Sequence, residues 1–180
     1  MPKKNQRSKK TSREKSQPKK TSDRSRATLQ VVQAFDRKPI AAIPQDDEKA
    51  LEKKIAIAAQ TFRNREGWLK PHQRIAFLKN AAAQLRTQQD QFAKLIAQEG
   101  GKPLRDAIVE VTRAIDGLEN AAEELRNFGG REIPMGLTPA SDGRLAFTIK
   151  EPIGVVVAIS AFNHPLNLIV HQVAPAVAVG

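Results

Sequence analysis

The 180 residues contain no cysteine. That absence excludes a disulfide framework, a thiolate metal site and a thiol nucleophile within them. Long apolar runs are missing too. The longest, residues 153–162, falls well short of the roughly 18 residues that a membrane-spanning helix needs, so no span is expected. No internal repeat is present. Acids are far outnumbered by bases at the start: residues 1–26 hold eleven Lys/Arg against Glu14 and Asp23, which is +9 of the chain's +11. The body that follows is therefore nearly neutral, and the basic character describes a tail.

That tail also has nothing to bury. Between Lys3 and Arg26 the only non-polar residue is Pro18, so residues 1–27 are expected to stay disordered. Two readings stay open: a solvated extension without specific function, or a tether to nucleic acid through nonspecific phosphate contacts. It has no aromatic residue to stack on bases and no apolar face for a transit helix.

Beyond the tail, residues 29–35 and 39–43 read as two short strands across Asp36-Arg37-Lys38. Asp46 and Asp47 then favour a helix start, and Leu51, Ile55, Ala58 and Phe62 mark that helix's buried face. Pro71 opens a second helix with the stripe Ile75, Leu78, Ala82 and Leu85. A shorter helix carries Phe92, Leu95 and Ile96, and Gly100-Gly101 ends it. From Pro103 a long helix sets Leu104, Ile108, Val111, Ile115, Leu118, Ala122 and Leu125 at alternating steps of four and three. That stripe fits either a coiled coil or one helix packed on a core. Gly129-Gly130 stops it, and residues 131–150 turn extended again.

The last stretch concentrates the signal. Glu151-Pro152-Ile153-Gly154 makes a turn, and residues 155–159 are a β-branched apolar run without alternation, as in a strand buried on both faces. Residues 160–164 break the run. Pro165 suits the first turn of a helix, in which Leu166, Ile169, Val170, Val173 and Val177 recur at helical spacing. The order strand, loop, helix puts the loop at the carboxyl end of a strand, where open α/β sheets hold their ligands.

These residues resemble the aldehyde dehydrogenase superfamily. Its hallmarks stand here as Glu151 to Val155, as Phe162-Asn163-His164-Pro165 and as Ala174-Pro175-Ala176-Val177-Ala178-Val179-Gly180. Upstream, Trp68, Arg74 and the Gly101-Lys102-Pro103 turn are similar to its amino-terminal region. The resemblance runs over residues 29–180. It implies an α/β chain whose helical amino-terminal region leads into a truncated Rossmann-like nucleotide-binding sheet. Residues 28–130 would be that domain's first strands and helices, 131–150 an extended oligomerisation segment, and 151–180 the first strand-loop-helix of the core. It also implies NAD or NADP as cofactor, an aldehyde substrate, a dimer or tetramer, and a cytoplasmic enzyme. The Phe-Asn-His-Pro-Leu-Asn form is similar to branches acting on small polar aldehydes such as lactaldehyde or phosphonoacetaldehyde.

Asn163 is the candidate catalytic residue. A carboxamide is neutral at working pH and carries two N–H donors, which can stabilise a developing oxyanion; from residue type alone, a helix cap is the competing role. The resemblance assigns Asn163 the oxyanion role and puts Ile159, Ser160, Ala161 and Phe162, with Asn163, against the nicotinamide cofactor. The family often has Pro where Ala161 stands and Trp where Phe162 stands; Phe keeps an aromatic wall but loses the indole donor. His164 and His171, two helical turns apart, lack the further ligand a metal site needs. Ser160 lacks the partners of a serine nucleophile, and Glu119, Glu123 and Glu124 form no paired-carboxylate site.

In the family a cysteine attacks the aldehyde, hydride passes to the cofactor, and a glutamate activates water. Both lie downstream of the Asn-X-Pro turn, so these residues are expected to be the front of a longer enzyme. The alternatives are an inactive remnant, or a helical interaction module tethered to nucleic acid by its tail. An isolated strand 155–159 and its helix would expose apolar surface. The 180-residue chain alone should then be poorly soluble or partly molten and inactive. Differential scanning calorimetry checks this: a broad or absent transition is expected, and a sharp cooperative one from a monomer would contradict it.

Overall fold

A computed structural model describes residues 27–180. The basic tail and its nucleic-acid reading lie outside these residues. A hairpin leads, with β1 (Thr28–Val32) antiparallel to β2 (Pro39–Pro44). Arg37 takes a positive φ of 60° in its turn. β1 ends earlier than the apolar run suggested: the Gln33 N–H still donates to the Lys38 carbonyl at 2.8 Å, but the Ala34 N–H donates to the Gln98 carbonyl at 2.8 Å. Phe35 is left exposed.

Five helices follow: α1 (Glu48–Arg63), α2 (Pro71–Thr87), α3 (Gln89–Gly100), α4 (Leu104–Glu124) and α5 (Pro165–Val179). Asp47 caps α1, its carboxylate accepting the Ala50 N–H at 2.8 Å, while Asp46 pairs with Lys54. Pro71 and Pro165 both stand at first helical positions, where a missing N–H costs nothing. Gly101 closes α3 in the left-handed conformation, φ 67°. Between α4 and α5 a two-residue ladder pairs β3 (Glu132–Ile133) with β4 (Ala146–Phe147).

α4 is the hub, lying against α2, α3 and α5. The core is built largely of small side chains: Ala82 from α2, Ala93 from α3, Ala107, Ala114 and Ala122 from α4, and Ala174 and Ala178 from α5, around Leu78, Val111 and Ile115. Small residues let helix axes approach closely. At Gly117 of α4 an added Cβ would sit 3.2 Å from a Val170 methyl of α5.

The expected stripes of α4 and α5 largely hold, with Val111, Ile115, Ala122 and Val170 buried and Leu118, Leu125, Leu166 and Val177 packed against the core, but three of their members stay exposed. On α4 the buried face runs through Ala107, Glu110, Val111, Ala114, Ile115 and Ala122, and Leu104 and Ile108 face outward. On α5 the buried residues are Asn167, Val170, Ala174 and Ala178, with Val173 exposed. Small residues share the buried faces with Val111, Ile115 and Val170, while Leu104, Ile108 and Val173 lie at the rim. α1 departs further. It buries none of its residues, and Leu51 and Ile55 are 53% and 50% exposed, because its principal neighbour is only the short turn Arg65–Gly67. The stripe of α2 stands as expected, with Leu78, Ala82 and Leu85 buried and Ile75 partly so.

Residues 155–159 form no ladder, for no strand lies beside them among the described residues. Val156 and Val157 stay 54% and 75% exposed, the apolar surface expected of a strand without neighbours.

One glycine is sterically fixed. A Cβ on Gly130 would lie 1.6 Å from the Thr148 carbonyl oxygen, whereas one on Gly129 would meet open space. Here Arg131 and Thr148 are tied by the Thr148 N–H donating to the Arg131 carbonyl at 2.9 Å. Gly130→Ala should therefore accelerate amide exchange at Thr148, and Gly129→Ala should leave it unchanged. Equal exchange in the two variants would refute this close approach.

Candidate functional site

The turn that precedes α5 is held from three directions. From α4, one oxygen of Glu110 accepts the backbone N–H groups of Leu166 (2.9 Å) and Asn167 (3.2 Å). These are among the first N–H groups of α5, which have no partner inside the helix. The carboxylate also sits where the helix dipole favours negative charge. Its other oxygen accepts from the Lys102 ammonium at 2.5 Å. Lys102 in turn donates to Nδ1 of His164 at 3.1 Å, which leaves the imidazole proton on Nε2. Glu110 is fully buried. Burial alone would raise its pKa, but Lys102 and the two N–H groups outweigh it and hold the carboxyl below its ordinary range.

The second hold is Gln172 of α5. Its carboxamide brackets the peptide of Ile159, accepting the N–H at 2.9 Å and donating to the carbonyl at 2.8 Å. That pair of bonds imitates a neighbouring strand. The third is Ser160, whose hydroxyl donates to the Pro165 carbonyl at 2.6 Å and so ties the start of the turn to its end. At the far end of α5 the Arg74 guanidinium donates to the Ala178 carbonyl at 2.9 Å. The helix thus has a carboxylate at its N-terminus and a cation at its C-terminus.

Between these anchors lies the predicted set. Ile159 and Phe162 are 77% and 92% exposed, Ala161 is half-buried, and Asn163 is exposed. Among the described residues the Asn163 carboxamide has no hydrogen-bond partner. The capping role that residue type favours is therefore not filled by Asn163, because Glu110 already takes the helix N–H groups. The residue at the cap position itself, His164, makes no capping bond either. Ser160 is committed to Pro165, away from any base. No group of three or more His, Cys, Asp or Glu among the described residues could hold a metal ion.

Ile159 and Phe162 offer open apolar surface against which the flat face of a nicotinamide ring could lie, while the Ile159 peptide and the Ser160 hydroxyl are already bonded inside the protein.

The model of the aldehyde dehydrogenase family matches residues 20–180. The chain belongs to the aldehyde dehydrogenase family. It is 36% identical over 152 residues to 3-sulfolactaldehyde dehydrogenase of Priestia aryabhattai, covering 84% of this chain and 31% of that protein. It is 36% identical over 156 residues to lactaldehyde dehydrogenase of Methanocaldococcus jannaschii, with 86% and 32% covered. The crystal structure of glyceraldehyde-3-phosphate dehydrogenase from Methanocaldococcus jannaschii complexed with NADP superposes with a TM-score of 0.77 at 34% identity, covering 84% and 32%. The chain spans about a third of the length of the curated relatives it matches. The α/β aldehyde dehydrogenase architecture expected from the motifs is thereby established.

Glu110, Gln172 and the use made of Lys102 were not evident from sequence. Glu110 had a signal: it stands three residues after Ala107 and four before Ala114, on a small-residue face where a lone carboxylate must find partners.

A carboxylate whose pKa is lower in the fold than in the unfolded chain stabilises the fold above its unfolded value, and that contribution is lost as pH falls through the folded one. For Glu110 the loss should set in below the ordinary glutamate value of 4.5. Denaturation midpoints of the whole protein, measured against pH, should fall more steeply in this acid range for the natural chain than for Glu110→Gln. Parallel curves would contradict the buried ionised carboxylate. Glu110→Ala, which strands Lys102, should cost about 3–5 kcal/mol.

Proposed function

We propose that this chain supplies the cofactor-facing turn and the oxyanion donor of an enzyme that oxidises a small polar aldehyde to its carboxylic acid with NAD or NADP. The observation that carries the reading is the unpartnered, exposed carboxamide of Asn163 on a turn whose backbone is fixed on both sides. A donor held in place but bonded to nothing in the protein is free for a ligand atom. Facing an aldehyde oxygen, its N–H would stabilise the charge that develops when the carbonyl carbon is attacked. Ile159, Ser160, Ala161 and Phe162 would lie against the nicotinamide ring. When bound, that ring takes up the hydride released by the aldehyde carbon.

The names of the relatives, a sulfolactaldehyde and a lactaldehyde dehydrogenase, favour a small polar aldehyde. The NADP in the similar crystal structure favours a nicotinamide cofactor. Having no cysteine, the 180 residues hold no thiol nucleophile of their own and are proposed to be inactive alone. Residues 131–150 are proposed to join a homo-oligomer, because Leu137, Leu145, Phe147 and Ile149 are all exposed there.

Asn163→Ala in the whole protein should lower kcat by about 10²–10³-fold, the usual loss for one oxyanion donor. Its thermal stability should be nearly unchanged, since the side chain makes no internal bond. Turnover at the natural rate would rule out the oxyanion role.

A further inference from the structure

We infer that Glu110 is the positioning residue for Asn163: a buried carboxylate on α4 that sets where the turn's carboxamide points. The inference rests on the oxyanion reading of Asn163. Among the described residues the Asn163 side chain makes no hydrogen bond, so its position follows the backbone on which it stands. That backbone is controlled immediately downstream. Pro165 fixes one dihedral angle by its ring, and the next two N–H groups, of Leu166 and Asn167, both donate to a single oxygen of Glu110. The other oxygen reaches the same place by a second route. It holds Lys102, and Lys102 holds the ring of His164, the residue adjacent to Asn163.

One side chain therefore grips the segment from Asn163 onward through both of its oxygens. Glu110 is itself immobilised, since it stands on the buried face of α4 between Ala107 and Ala114. No part of it is exposed, so it touches neither substrate nor cofactor. Removing its charge leaves Asn163 in place chemically but loosens the backbone beneath it. A misplacement of about 1 Å at a reacting group costs on the order of 10²-fold in rate.

A double-mutant cycle on the whole protein tests this. Glu110→Gln keeps the shape and should lower kcat by about ten- to a hundredfold, with KM for the aldehyde nearly unchanged. In the Asn163→Ala background the same substitution should change kcat by less than about twofold, because the group it positions is gone. Equal losses in the two backgrounds would show a general effect on the fold and overturn the inference, while leaving the oxyanion reading intact. If Asn163→Ala alone leaves kcat unchanged, the oxyanion reading fails and the inference fails with it. Should Glu110→Gln not fold, Glu110→Asp keeps the charge but draws the carboxylate back by one methylene. It should show the same coupled loss, and natural kcat in that variant would equally overturn the inference.

Discussion

A single buried carboxylate carries the join between the helical body and the turn before α5. Glu110 enters the protein at the cost of leaving water, and no apolar contact repays that. What offsets it is full satisfaction: two helix N–H groups on one oxygen and a lysine on the other. The arrangement constrains much around it. Lys102 must lie at the start of α4, and His164 must face inward. α5 must begin at Pro165 with its first N–H groups facing the carboxylate. With Arg74 bonded to Ala178 at the opposite end, both termini of α5 are closed by charges of the favourable sign. The cluster is one of three holds on the turn, beside the Gln172 bracket on Ile159 and the Ser160 bond to Pro165.

The body supplies the platform by close approach rather than by bulk. Alanines from four helices and Gly117 at the α4–α5 crossing bring the backbones near enough for a side chain on one helix to cap the next. A side chain at position 117 would press on Val170 of α5. The same economy explains what stays outside. α1 buries nothing and the 155–159 run lacks a ladder, so the helical core is defined while its margins present apolar surface.

Much of this was legible in the sequence, for identifiable reasons. Helix starts at Asp47, Pro71 and Pro165 and the stop at Gly101 are local chemistry, and each stands where capping and fixed dihedrals put it. The turn at residues 160–164 was legible because a proline and polar residues interrupt an apolar run. The buried faces were less so. Counting apolar residues at helical spacing found Val111, Ile115, Ala122 and Val170, but it also pointed to Leu104, Ile108 and Val173, which stay exposed, and passed over Ala107, Ala114 and Ala174. Glu110 escaped because a charge between two valines reads as solvent-facing until its partners, eight and more than fifty residues away in sequence, are brought to it by the fold. The free state of Asn163 depends on the same distant carboxylate, so no local pattern could separate a cap from a ligand donor there.

Amide hydrogen exchange at Leu166 and Asn167 in the whole protein would test the clamp most directly. Helix N-terminal amides ordinarily lack a partner and exchange readily. With Glu110 in place, these two should be protected like amides in the middle of α5, and Glu110→Gln should weaken that protection. Rapid exchange at both positions in the natural protein would mean that the carboxylate does not hold the helix, and the account of the turn built on it would fall.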